Sequence, residues 1–133
     1  MQTSSNTKLK ILYLADIFRF ETDEDHALSI NELIIKLSNF DITVSRQTLY
    51  EDVALLKKYG MDIYTNRQAG RAPTLYNLIN RDFSLSELKL LVEIIQSSQI
   101  TTPPQSKELI CRLSTLTSKY QAKQLECWGN AKL

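Results

Sequence analysis

Residues 44–60 spell a helix with a defined start, back and end, and the chain then changes its period. Leu49, Val53 and Leu56 recur at i, i+4 and i+7, the stripe with which a helix faces a core. Ser45 stands where an N-cap belongs, and Gly60 where a helix stops. The other face shows Arg46, Gln47, Tyr50, Glu51 and Lys57. Residues 61–66 (Met-Asp-Ile-Tyr-Thr-Asn) alternate like a strand, 67–72 are polar around Gly70, and 74–79 alternate again. The segment predicts a helix running into a two-stranded hairpin whose tip carries Arg67 and Arg71.

The flanks extend this frame. Residues 1–7 read as a loose polar tail. A first helix is expected over 8–20, with Leu9, Leu12, Ile17 and Phe20 near one face and Tyr13 and Leu14 widening it. Residues 21–27 read as a solvated connector and 28–30 as a very short strand. Ser29 and Glu32 have the spacing of a capping box, which starts a second helix over 30–39 with Leu33, Ile34 and Leu37 inward. Residues 40–44 turn into helix three. Past a joint at 80–83, Ser84 and Glu87 repeat the capping spacing and open a helix to about residue 98, striped by Leu88, Leu91, Val92 and Ile95. Thr101-Thr102-Pro103-Pro104 breaks the chain before a last helix with Leu109, Leu113, Leu116 and Tyr120. Three helices followed by a hairpin is the order of a winged helix-turn-helix. The expected class is mainly α (α+β): a winged domain over 1–80 with a two-stranded wing, then two C-terminal helices over 81–133 as a connector or dimerisation region.

Composition narrows the function classes. Hydrophobic residues make up 43% of the 133, enough for a core, and the three glycines and three prolines favour regular elements. A formal net charge of +1 does not announce a nucleic-acid partner in bulk, so any attractive field is local. Residues 16–32 are acidic, and His26, the single histidine, lies among them as an exposed loop residue. Cys111 and Cys127 are far apart and have no metal-ligand spacing, so free thiols, a cytoplasmic setting, and no metal or cofactor are expected. The N-terminus lacks the apolar core of a signal peptide, and charge interrupts every apolar run, which excludes a membrane span. No nucleophile–base pair or phosphate-cradling glycine loop is present, so no enzymatic activity is expected.

Residues 8–79 resemble the DeoR-like winged helix at the front of bacterial WYL-domain transcriptional regulators. The resemblance rests on Lys8-Leu9-Lys10-Ile11-Leu12-Tyr13-Leu14, on Leu28-Ser29-Ile30-Asn31-Glu32-Leu33, and on Val44-Ser45-Arg46-Gln47-Thr48-Leu49-Tyr50-Glu51-Asp52-Val53. Residues 81–120 are similar to the connector that follows in that family, through Arg81-Asp82-Phe83, Leu85-Ser86-Glu87-Leu88-Lys89-Leu90-Leu91 and Ser106-Lys107-Glu108-Leu109-Ile110. Two departures stand out. The family usually continues into an effector-sensing WYL domain, so an effector, if any, is expected to bind a domain absent from this chain. Position 51, often basic in such helices, is Glu51.

The resulting expectation is a DNA-binding transcriptional regulator, or its DNA-binding part, whose helix over 45–59 enters the major groove of double-stranded DNA while residues 66–72 touch the backbone or minor groove. Arg46, Gln47 and Tyr50 are the candidate base readers, and the N–H groups around Ser45 suit a phosphate. Thr48 belongs to the same exposed start and suits capping more than base contact. Lys57, Arg67 and Arg71 are candidates for the backbone, although Lys57 and Lys58 also compensate a helix dipole. A homodimer through 84–120 is expected, because two-fold operators require two copies. The rival expectation is a winged domain used for protein contact alone.

Overall fold

The computed structural model describes the backbone of residues 4–131 and the side chains of residues 7–125. The chain divides into two compact units between Asn80 and Arg81. The described residues are mostly helical, with one small antiparallel sheet, an α+β composition. None of their helices is long and apolar enough to cross a membrane.

The first unit opens with α1 (Ser4–Glu21). Residues 4–7 of the expected tail are therefore helical, and residues 1–3 lie outside the described residues. The buried face of α1 is Lys10, Leu14, Ile17 and Phe18, with Ala15 beside them. This corrects the expected face: Leu9, Leu12 and Phe20 are exposed, Leu12 at 62%. The stripe is rotated because a lysine occupies one of its positions. Lys10 Nζ lies 3.0 Å from Asp52 Oδ2, with the two side chains only 6% and 9% exposed. The approach is close enough for an ion pair but is not aligned as a hydrogen bond to that oxygen.

The expected solvated connector after α1 is also corrected. Thr22 and Asp23 are buried. The Thr22 hydroxyl donates to the Phe18 carbonyl at 2.6 Å and accepts the Leu78 N–H at 3.0 Å. The Asp23 carbonyl accepts from Asn77 Nδ2 at 2.8 Å. Asp23 Oδ1 takes the Asp25 N–H at 2.9 Å and lies 2.8 Å from His26 Nδ1, so His26 is half-buried against it. Buried backbone must find partners, and here side chains supply them where no helix or strand does.

Next come β1 (Leu28–Ser29) and α2 (Ile30–Ser38). Ser29 serves both. It pairs with Leu75 in the sheet, and its hydroxyl accepts the Glu32 N–H while Glu32 accepts the Ser29 N–H, a complete capping box. After α2, Asp41 adopts a left-handed φ of 61°, and buried Ile42 returns the chain to the core. α3 (Arg46–Tyr59) buries Leu49, Val53 and Leu56, as its stripe predicts, together with Asp52. It ends at Gly60, where φ is 130° and the N–H bonds back to the Leu56 and Lys57 carbonyls.

β2 (Ile63–Asn66) and β3 (Leu75–Leu78) form the expected hairpin, with Thr65 opposite Tyr76 and Ile63 opposite Leu78. The sheet has three strands and not two, because β1 joins β3 on its free edge in the order β1-β3-β2. As the central strand, β3 buries Tyr76, Asn77 and Leu78 in succession. The core of this unit gathers Phe18, Leu33, Leu37 and Leu49 with the inward residues of the sheet.

The second unit contains α4 (Leu85–Ser97), α5 (Pro103–Ser114) and α6 (Lys119–Ala131). The expected pair of C-terminal helices is therefore three. The long stripe from Leu109 to Tyr120 crosses a real break. α5 stops at Ser114, Thr117 and Ser118 are buried, and the Ser118 hydroxyl accepts the Gln121 N–H at 3.1 Å to start α6. The core is Leu88, Val92, Ile110 and Leu125, while Leu109 and Leu116 are exposed. α4 and α5 both begin with a complete capping box, on Ser84 and Thr102.

Candidate nucleic-acid interface

The first turn of α3 forms from its own cap. The Ser45 hydroxyl accepts the Thr48 N–H at 3.2 Å and donates to Thr48 Oγ1 at 2.9 Å. Thr48 is thus absorbed by the cap. Behind this turn, buried Leu49, Asp52 and Val53 fix the helix on the core, so Tyr50 and Glu51 point outward.

Arg46 is exposed and tied on two sides. Its Nη1 donates to Asn31 Oδ1 of α2 at 2.6 Å, and its Nη2 reaches the Tyr50 hydroxyl, one turn along α3, at 3.4 Å. Gln47 and Glu51 are exposed beside them. Near the other end of α3, Lys57 Nζ donates to Thr65 Oγ1 on β2 at 2.8 Å. Lys57 therefore spans the gap from helix to hairpin and carries its charge at the sheet.

Tyr76 on β3 feels charges from both the helix start and the hairpin loop. Burial pushes its hydroxyl pKa up, the neighbouring Tyr50 pushes the same way, and the charges of Arg67 and Arg46 pull it down. Arg46, Tyr50 and Arg67 thus all act on the Tyr76 hydroxyl. Thr65, which takes the Lys57 contact, is paired with Tyr76 across the hairpin. Of the expected contact residues, Ser45 meets Thr48 at the cap and Arg46 meets Tyr50, Arg67 joins them through its charge on Tyr76, and Lys57 lies about three turns along α3 against Thr65. Arg71 is exposed in the same hairpin loop but is not among the groups acting on Tyr76.

Two participants escaped sequence reasoning. Asn31 sits among the capping residues of α2, where nothing in the periodicity marks it. Tyr76 reads as an ordinary inward strand residue. Asp52 is a third surprise, since its carboxylate points inward to Lys10 and leaves Glu51 as the carboxylate on the exposed side of this part of α3. Among the described residues, no group of three or more His, Cys, Asp or Glu side chains is placed to hold a metal ion.

The surface that results is small, basic and polar, mounted on a helix that a core holds from behind. It offers a guanidinium fork, an amide, a phenol and two further cations, the donor set that suits phosphate oxygens and base edges. No family model, curated protein or solved structure matches the chain.

Proposed function

We propose that the chain is a DNA-binding transcriptional regulator, or the DNA-binding part of one, with a winged helix-turn-helix as its reading head. The observation that carries this is the exposed start of α3. Arg46, Gln47 and Tyr50 stand free of the core on a helix whose back is buried, and the Arg67 hairpin lies within electrostatic reach. α3 enters the major groove N-terminus first, and the loop after β2 meets the backbone or minor groove. The resemblance of residues 8–79 to DeoR-like winged helices supports the same reading.

The proposed assembly on DNA is a homodimer through residues 84–120. Leu90 and Ile94, one turn apart on α4, are both more than half exposed, which leaves that helix an apolar outer face. A pair of copies would match a two-fold operator.

Selection of bound duplexes from a random pool tests the reading. A palindromic motif is the expected result, and the absence of any motif overturns it. Affinity for the selected duplex should fall with salt at a log–log slope of roughly −3 to −4 per protomer, for phosphates neutralised by Arg46, Lys57, Arg67 and Arg71. A winged domain used only for protein contact shows no such slope. Arg46→Ala should lose about 1–3 kcal/mol and relax one base position, whereas Arg71→Ala should weaken all sequences alike.

A further inference from the structure

We infer that Asn31, on α2, is a positioning residue that sets Arg46 to read a guanine, so that base discrimination depends on a side chain outside the reading helix. This inference rests on the DNA-binding function proposed above.

Asn31 and Tyr50 approach the guanidinium from two different helices, at 2.6 Å and 3.4 Å. A long exposed arginine otherwise samples many rotamers and loses that freedom on binding, and a side chain already held loses less. The two contacts leave the fork usable. Of the five N–H donors of an arginine, one on Nη1 and one on Nη2 are engaged, so a second hydrogen on each terminal nitrogen and the Nε–H remain. Paired donors of this kind match O6 and N7 of guanine in the major groove.

The residue type at position 31 fits this role. Asparagine is a poorer helix former than glutamate or glutamine. A carboxylate in the first turn of α2 would suit the helix dipole and would also accept from Arg46. It would, however, cancel the arginine's charge and repel phosphate. A neutral amide oxygen holds the guanidinium while leaving its charge for DNA.

The test uses the full chain and the duplex that the wild type selects, together with versions of that duplex changed at the base pair where Arg46→Ala relaxes preference. Asn31→Ala should lower the discrimination ratio about 3- to 10-fold, the scale of one freed side chain, and should add nothing in the Arg46→Ala background. Asn31→Asp keeps an acceptor, so it should preserve the ratio while weakening every duplex. In the free protein, the heteronuclear NOE of the Arg46 Nε–H should report an ordered side chain in the wild type and in Asn31→Asp, and a mobile one in Asn31→Ala. An Arg46 equally mobile in the wild type and Asn31→Ala overturns the positioning role while DNA binding stands. So does a loss on Asn31→Ala that persists undiminished in the Arg46→Ala background, since Asn31 would then touch DNA itself. A wild type that selects no sequence overturns the DNA reading, and this inference with it.

Discussion

The two units of this chain solve the same problem by different means. The first, through Asn80, places polar groups inside. It has a lysine–aspartate pair between α1 and α3, and a Thr22–Asp23 corner bonded to β3. The second, from Arg81, has a core of four buried apolar residues among those described and starts α4 and α5 with complete capping boxes. Both units bury polar groups, but the first ties its own across long stretches of chain, whereas in the second Thr117, Ser118 and Gln121 bond to one another beside a thin apolar centre. Substitutions should therefore fail in different ways in the two units.

The sharpest way to break the comparison is at Lys10. Lys10→Met strands a buried carboxylate and should destabilise the first unit by about 3–5 kcal/mol. Lys10→Met combined with Asp52→Leu should recover most of that loss, because an apolar pair replaces an ionic one. Amide exchange across α1 and α3 under native conditions measures both, and a single variant as stable as the wild type would show that the pair is not desolvated. In the second unit, Leu88→Ala should cost about 2–4 kcal/mol, read at the amides of α4, α5 and α6. A negligible loss there would mean that this centre collapses easily around a void.

Two smaller effects sharpen the contrast. Asn77→Ala removes the donor to the buried Asp23 carbonyl and should cost about 1–3 kcal/mol, with faster exchange at the Leu78 amide. Unchanged exchange would mean that water replaces the amide. The smallest effect is a pH dependence of the α4 cap. Hydrogen bonds from the Ser84 backbone and hydroxyl hold the Glu87 carboxyl below its ordinary pKa of 4.5. The unfolded chain therefore binds this proton first as pH falls, so the contribution is complete above the ordinary glutamate value and is lost as pH drops through the lower folded one. Amide exchange in the first turn of α4 should rise over that acid range in the wild type and stay flat in Glu87→Gln.

Legibility in the sequence depended on whether the inward positions were apolar. α3 and the hairpin could be read because every inward position that defines them, from Leu49 to Leu78, is apolar or aromatic, apart from Asp52 and Asn77. The buried face of α1 is not legible because Lys10 interrupts the true stripe, and Leu9, Leu12 and Phe20 offer a false one. The 21–27 segment looks like solvent-loving chain because Thr22 and Asp23 are polar, yet their partners lie more than fifty residues away. The break between α5 and α6 was hidden by exposed leucines that keep a helical spacing across it. At the proposed interface, the exposed residues of α3 were legible from their opposition to a core stripe. Asn31 was not, because a tertiary hydrogen bond leaves no period in a sequence.

Ser29 joins the hairpin to α2. The same residue ends a strand paired with Leu75 and begins the helix that carries Asn31 two positions later. No residue separates the sheet from that helix, the geometry of one lever with a single-residue fulcrum. A push on the hairpin loop would have a continuous path through β3 and β1 to the start of α2, where Asn31 bonds Arg46. On the proposed reading, pressure from a backbone contact and the aim of a base contact would be geared together.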